Sequence, residues 1–344
     1  MTRITIVTDA WHPQVNGVVR SIERTNAELE RMGVTVTMLT PLAFRTIPCP
    51  TYPEIRLSLT LPGRFAREIA KGQPSYVHIA TEGPLGIYAC RWCRKTGTPY
   101  TTSYHTRFPE YVSARLPIPQ SWLYALMRRF HNSSEGCMVA TDSLARDLRA
   151  RGFRNLMRWS RGIDAELFRP RPDSILDLPR PIFMNVGRVS VEKNLAAFLD
   201  LDLPGTKVVV GDGPMLEAMR RRYPDVVFTG AKFGEELARH YAAADVFVFP
   251  SRTDTFGNVL LEALASGLPV AAFPVMGPAD IIGDHPVGVL DEDLRKAALG
   301  ALGVSREACR RHALTYSWAA SARQFLTNIR LANGEDVGQP LAAI

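Results

Sequence analysis

Residues 246–273, VFVFPSRTDTFGNVLLEALASGLPVAAF, decide the fold. Val246 to Phe249 is a short run of β-branched and aromatic residues, the pattern of a buried strand, and Pro250 ends it. Asp254 stands in the polar loop that follows. Phe256 and Gly257 close the loop, and a helix begins at Asn258 and stops at Gly267. Pro269 and Val270 open another strand. Strand, acid-bearing loop, helix, glycine stop and strand make one βαβ unit. Ligands of such units sit past the strand's carboxyl end, facing the first amides of the helix. Gly257 lets a ligand approach the backbone closely. Glu262 lies about one turn into the helix, and its two acceptor oxygens suit a vicinal diol such as a ribose.

The same alternation extends in both directions. PIFMNVG (181–187), KVVVG (207–211) and VVFTG (226–230) read as strands ahead of the quoted stretch. In the first half, ITIVTD (4–9), Val34 to Thr40, YVHIA (76–80), PYTTSYH (99–105) and CMVATD (137–142) read as strands, with a helix from Ser21 to Met32. This is a doubly wound α/β pattern repeated in two halves of similar size, and 344 residues suit two domains. Residues 161–180, rich in Pro and charge, interrupt the pattern. The expected division is a first domain at 1–165, a linker at 166–180, a second domain at 181–315 and a final helix at 316–330. Residues 331–344 read as a loose tail.

Four further segments share the chemistry of the quoted one. NVGRVSVEKN (185–194) opens a turn at Gly187 and projects Arg188 and Lys193, a guanidinium and an ammonium suited to a diphosphate. VVVGDGPMLEAM (208–219) runs strand, Gly211-x-Gly213-Pro, helix. DAWHPQVNGVVRS (9–21) ends a strand and begins a helix at Gly17, and SYHTRFPEY (103–111) places His105 just past a strand.

The segment from Asp254 to Val270 resembles the E-x7-E motif of retaining GT-B glycosyltransferases, in particular family 4, whose usual form is E-x-F-G-x-x-x-x-E-A-x-A-x-G-x-P-V. Asp254 stands in place of the first Glu; Phe256, Gly257, Glu262, Ala263, Ala265, Gly267, Pro269 and Val270 follow the pattern. Arg188 and Lys193 match the family's G-R-x-x-x-x-K-N, and Arg161, Gly162, Ile163, Asp164, Phe168 and Pro170 match R-G-[IV]-D-x-x-x-F-x-P, read as a structural landmark together with Thr141-Asp142-Ser143. The resemblance implies a GT-B architecture, two Rossmann-like domains facing across a cleft, with the last helix crossing back onto the first domain. It implies a nucleotide-diphosphate sugar, UDP- or GDP-linked, as co-substrate, and no separate cofactor. Arg188 and Lys193 would hold the diphosphate. Asp254 and His105 would meet the transferred sugar. Gly17, Gly187, Gly211, Gly213, Phe256, Gly257, Asn258 and Glu262 would line the donor site. No metal site is expected: Asp291 and Asp293 lie near a late helix start, where capping explains them.

Charge bears on the acceptor. Residues 1–170 hold 23 Lys+Arg against 13 Asp+Glu, whereas the remainder holds 18 against 21. A basic first half implies an anionic partner there, a membrane surface or a nucleic acid. Residues 56–71 and 111–130 mix Arg with aromatic and aliphatic side chains; Trp122, Tyr124, Arg128 and Arg129 are candidates for contact with a leaflet or a lipid acceptor. No apolar run approaches the roughly 20 residues needed to span a bilayer, and the N-terminus reads as a strand rather than a signal peptide. The expectation is therefore a cytoplasmic, peripheral glycosyltransferase acting on a lipid such as diacylglycerol or a glycolipid. A soluble sugar or inositol-type acceptor, an NDP-sugar epimerase of the same architecture, and a basic nucleic-acid-binding protein are the alternatives. No strand leads into G-x-G-x-x-G, which disfavours a nicotinamide dehydrogenase. The five cysteines are scattered, and Cys90-x-x-Cys93 is read as helix packing.

Overall fold

The computed structural model describes residues 2–14, 16–49, 52–113, 116–172 and 175–337, with the side chains of 52–54 left aside. The chain forms two compact units, one from 1–161 plus 318–344 and the other from 162–317. Arg161-Gly162 of the sequence landmark is thus the point where the chain leaves the first unit.

In the first unit the strands are β1 (Arg3–Val7), β2 (Thr35–Leu39), β3 (Arg45–Cys49), β4 (Tyr52–Leu59), β5 (Tyr76–Ile79), β6 (Tyr100–Tyr104), β7 (Gly136–Val139) and β8 (Leu156–Arg158). Its helices are α1 (Gly17–Arg31), α2 (Pro62–Lys71), α3 (Pro84–Thr96), α4 (Phe108–Ser113), α5 (Gln120–His131) and α6 (Asp142–Ala150). The main sheet is parallel, in the order β2-β1-β5-β6-β7-β8; β3 and β4 pair antiparallel as a separate hairpin. The second unit holds β9 (Ile182–Val186), β10 (Thr206–Val210), β11 (Val227–Gly230), β12 (Val246–Phe249), β13 (Val270–Ala272) and β14 (Gly288–Leu290). They form a parallel sheet in the order β11-β10-β9-β12-β13-β14. Between them run α7 (Ala196–Leu199), α8 (Leu216–Arg222), α9 (Gly234–Ala243), α10 (Asn258–Ala265) and α11 (Pro278–Ile282); α12 (Leu294–Ala301) and α13 (Arg306–Ala313) follow. The last helix, α14 (Trp318–Ala332), belongs to the first unit.

Each unit has its own core. Parallel strands are covered on both faces, so they read as continuous apolar runs: every residue of β9 and of β12 is buried. Phe183, Val209, Val246, Val248 and Ala271 pack with Phe198, Leu294, Ala297 and Ala301 in the second unit. In the first, α14 inserts Ala322, Phe325 and Ile329 among Ile4, Ile6, Ile22, Leu29 and Trp159. Cys90 and Cys93 lie buried in α3 as free thiols, with the Cys90 sulfur 3.1 Å from the Tyr100 hydroxyl.

Both sheets reverse their strand order once. The reversal falls between β1 and β5 in the first unit and between β9 and β12 in the second. At such a switch point the following loops part to opposite faces, which leaves a crevice at the strands' carboxyl ends.

The structure differs from the sequence reading in several elements. The three-residue strands β8 and β14 are too short to show a period. The β3–β4 hairpin carries Pro48 and Pro53, which argue against a strand in a central sheet but not in an isolated pair. Segment 56–71 is a strand end and a helix, with Phe65 and Ile69 of α2 turned inward. Residues 166–180, expected as a linker, are anchored to the second unit. Arg310 donates to the carbonyls of Ala165 and Phe168 from inside that unit, Arg171 pairs with Glu235 at 2.7 Å, and Phe168 is buried. Of the expected tail, 338–344 lies outside the described residues, while 331–332 complete α14.

Candidate active site

In the second unit the loops after β9 and β12 meet at the switch point. After β9, Ser190 leads into a short 3-10 turn over Val191–Lys193, and Asn194 adopts a left-handed conformation with φ 52°. The Asn194 amide donates to the Pro250 carbonyl at 3.0 Å, which fastens this turn to the end of β12. The consequence is an ion pair across the switch point: Lys193 Nζ lies 2.6 Å from Asp254 Oδ1. Both side chains are mostly buried, and Asp254 Oδ2 is a buried atom with no hydrogen-bond partner. A buried carboxylate oxygen left unpaired costs free energy, so a ligand hydroxyl donating to it would be favoured.

Gly211 and Gly213, expected to line the donor site, let two loops approach each other. A Cβ on Gly211 would meet the Gly187 carbonyl at 1.8 Å, and one on Gly213 would meet the Val189 carbonyl at 2.4 Å. Gly187 N donates to Val210 O, and Val189 N to Asp212 O. This backbone seam fixes the loop that carries Arg188.

Gly257 caps α10 at φ 88°, a conformation that favours glycine. Asn258 is the first residue of that helix, and Phe256 is buried beside Tyr316, ring centroids 6.5 Å apart. Glu262 sits in the next turn and is itself buried. Its Oε2 accepts from the Tyr241 hydroxyl at 2.9 Å, so this oxygen is held by the protein rather than presented to a diol. Gly277, which the sequence reading passed over, packs against this loop: its Cβ would come 3.0 Å from the Phe256 carbonyl and 3.3 Å from that of Asp254. Asp293 caps α12 through Arg295 N and Lys296 N, as capping predicts, whereas Asp291 pairs with Lys296 at 2.6 Å.

In the first unit the residues at the sheet's carboxyl edge come from distant parts of the chain. Asp9, after β1, is buried; it accepts from Leu85 N at 2.9 Å and Gly86 N at 3.3 Å, and Thr81 donates to it at 3.0 Å. Burial pushes its carboxyl up, and the amides at the start of α3 pull the other way. Glu82, after β5, accepts from His131 Nε2 at 2.9 Å. His131 is wholly buried. Burial alone would strip its proton, but the Cys137 sulfur and the Glu82 carboxylate raise its pKa to about 10.

His105 follows β6, and Arg161 Nη2 donates to its Nδ1 at 3.1 Å. Burial first, then the neighbouring Arg161 charge, hold His105 well below the ordinary histidine range. Gly17 begins α1, but Asn16 Oδ1 already accepts from Val18 N and Val19 N at 3.0 Å, so two of that helix's first amides are spent on a side chain. Gly17 and His105 belong to the first unit; Gly187, Arg188, Lys193, Gly211, Gly213, Asp254, Phe256, Gly257, Asn258 and Glu262 belong to the second.

Helix α5 sorts the membrane candidates. Its buried face is Leu123, Tyr124, Met127 and His131. Tyr124 is therefore a correction: it is 5% exposed, its hydroxyl donates to Glu110 at 2.6 Å and Arg151 stacks on its ring. The 3.6-residue period that turns it inward turns Trp122, Leu126 and Arg129 outward. Trp122 is 73% exposed and Leu126 58%. Arg128 is exposed but donates to the Arg151 carbonyl at 3.0 Å. Ala114 and Arg115, within the same predicted segment, lie outside the described residues. Among the described residues no helix is long and apolar enough to cross a membrane.

With this geometry in place, the comparisons are specific. Residues 15–167 match the family described as Glycosyltransferase Family 4, and residues 180–302 match Glycosyl transferases group 1. A GDP-mannose-dependent alpha-mannosyltransferase of Mycobacterium tuberculosis is 30% identical over 98% of this chain and 98% of its own length. Sulfoquinovosyl transferase SQD2 of Arabidopsis thaliana is 34% identical over 71% of this chain and 51% of its own. Alpha-monoglucosyldiacylglycerol synthase of Streptococcus pneumoniae is 30% identical over 87% and 78%. Among solved structures, sucrose-phosphate synthase from Thermosynechococcus elongatus superposes with a TM-score of 0.80 at 20% identity, covering 97% of this chain and 100% of that one. Anabaena HepE in complex with UDP-glucose gives 0.68 at 14%, covering 96% and 100%. The two parallel-sheet units are the Rossmann-like halves of a GT-B fold, the molecule is a nucleotide-sugar-dependent glycosyltransferase, and the chain belongs to glycosyltransferase family 4.

Proposed function

We propose that this protein transfers a hexose, with retention of anomeric configuration, from a UDP- or GDP-linked donor to a hydroxyl of a membrane lipid such as diacylglycerol or a glycolipid. The observation that carries the donor half is the Lys193–Asp254 pair at the β9/β12 switch point, beside the loop bearing Arg188. On donor binding, Lys193 and Arg188 meet the diphosphate, and their positive charge offsets the charge that grows as the sugar leaves. Asp254 takes a sugar hydroxyl. Gly257 and Asn258 offer backbone at the start of α10, Phe256 walls the pocket, Gly187, Gly211 and Gly213 shape its floor, and Glu262, braced by Tyr241, faces the ribose. The family resemblance assigns Gly17 and His105 to contact with the donor as well. The bond from the anomeric carbon to the phosphate oxygen breaks as the bond to the acceptor oxygen forms on the same face. The acceptor's proton passes to the departing phosphate, so no side-chain general base is assigned.

The lipid acceptor is supported by relatives named for transfer to diacylglycerol or phosphatidylinositol mannoside and by the outward stripe Trp122–Leu126–Arg129 on a basic half. Peripheral attachment to the cytoplasmic leaflet is part of the same reading.

The test is thermal denaturation against GDP-mannose, UDP-glucose and related donors. A bound donor at 100 times its Kd stabilises by about 2.7 kcal/mol. Transfer onto vesicles containing diacylglycerol follows, with NMR of the product's anomeric configuration. A protein that no nucleotide sugar stabilises would not be this enzyme. Transfer to soluble sugars or inositol phosphate but not to lipid would establish the soluble-acceptor alternative, and inversion would remove the same-face mechanism.

A further inference from the structure

His105 and Arg161 make an unusual pair. Arg161 ends the first unit and is buried. Its Nη1 donates to the carbonyls of Trp159 at 2.9 Å and Ser160 at 3.3 Å, and its guanidinium lies 4.2 Å from the Trp159 ring centroid. Its Nη2 donates to His105 Nδ1 at 3.1 Å. The Trp159 ring packs edge-on to His105 as well, centroids 5.7 Å apart. The buried charge is thus met by carbonyls, an aromatic face and an imidazole nitrogen rather than by a carboxylate. Burying a guanidinium in that way is costly, which singles out the contact with His105 as something the fold retains for a purpose.

The chemistry of the contact is one-directional. A guanidinium has five N–H donors and no acceptor. The His105 nitrogen facing it must therefore accept, and a neutral imidazole that accepts at one nitrogen carries its proton on the other. From this we infer that Arg161 is a positioning residue that locks His105 as the neutral Nε2–H tautomer, so that His105 acts on the substrate as a hydrogen-bond donor and never as a general base. His78 is itself pushed down to about 3 by burial, and both its ring nitrogens are hydrogen-bonded to hydroxyls, Nδ1 to Thr101 and Nε2 to Ser103 at 2.8 Å each, so it offers no route for a proton to His105 Nδ1. The oxygen that His105 meets is an acceptor with free lone pairs, as in a hydroxyl of the transferred hexose. This last step rests on the proposed transferase function; the tautomer lock does not.

Long-range 1H–15N correlation spectra of protein labelled at its seven histidines test the lock directly, with the His105 signal assigned by its loss in His105→Gln. The expected spectrum at neutral pH shows His105 protonated at Nε2 only. An Nδ1–H tautomer, or an imidazolium, overturns the inference. Arg161→Met should release His105 to a mixture of tautomers and lower kcat about 10- to 100-fold through lost orientation, with donor KM little changed; Arg161→Lys, which still donates, should restore the Nε2–H signal. If either arginine variant fails to fold, the wild-type spectrum still decides. Activity on the donor that gives the largest thermal shift separates the roles of His105. His105→Gln keeps an N–H near the Nε2 position and should retain more transfer than His105→Asn, whose N–H falls near Nδ1. Equal loss in both means that His105 does more than donate and overturns the donor assignment. Full activity in both, with the Nε2–H signal intact, leaves the lock standing and removes His105 from the proposed transfer.

Discussion

The two switch points are built on opposite plans. The second unit's site is assembled from loops directly after β9, β10 and β12, and its polar core is a lysine–carboxylate pair a few residues from each strand end. The first unit's edge is assembled from side chains 49 to 77 positions apart: Asp9 with Thr81 and the start of α3, Glu82 with His131, His105 with Arg161. One centre is made by local chain geometry and opposite charges. The other is made by buried histidines whose protonation the surrounding packing dictates. Motif spacing can describe the former, whereas the latter exists only once β1, β5, β6 and β8 lie side by side.

The contrast breaks first at Lys193. Lys193→Ala should lower kcat about 100- to 1,000-fold by removing the cation from the diphosphate and leaving Asp254 unpaired. The double variant with Asp254→Asn should lose less than the sum of the two singles, since the residues act as one unit. Additive losses in steady-state kinetics would separate the pair. Backbone seams come next. Gly211→Ala in the second unit and Gly86→Ala in the first both drive a Cβ into a carbonyl, at 1.8 Å from Gly187 O and 1.9 Å from Thr81 O. Each should cost about 3 kcal/mol or more in urea unfolding, which makes the two units equally intolerant despite their different chemistry.

A smaller effect separates them by pH. The folded pKa of His131 is raised to about 10, above its unfolded value. The stability it contributes is therefore fully present below about pH 6.5 and is lost as pH rises through the folded value. Glu82→Gln removes one source of the shift. It should destabilise the protein by more than about 1 kcal/mol at pH 6 and by much less above pH 10, as read from urea midpoints. A pH-independent loss would mean that the pair is neutral. The least effect on stability belongs to Trp122→Ser with Arg129→Glu. Unfolding should change by no more than about 0.5 kcal/mol, while sedimentation with anionic vesicles falls about tenfold. Unchanged sedimentation would take the α5 stripe out of the membrane account.

Much of the second unit was legible in advance. Its strands alternate with helices in order, and a glycine, an acid or a base at a fixed distance past each strand is a local signal. The strand β12, the helix α10 and the placing of Lys193 and Asp254 in loops just past β9 and β12 all follow from it. The role of Gly211 was legible only in part: its place in a loop after a strand was clear, but not that it makes room for the Gly187 carbonyl. The Tyr124 assignment failed because composition alone does not say which face of α5 turns inward.

The sequence by itself determined the α/β class, the two-unit plan, the family and the acid and cations of the loops after β9 and β12, because these depend on short-range periodicity and on spacing within one loop. Only the tertiary structure decided that Arg161 faces His105, that His131 braces Glu82 and that Tyr241 holds Glu262. Those contacts join residues 21 to 56 positions apart. Burial sets their protonation and orientation, and burial is a property of the packed molecule that no local stretch of chain carries.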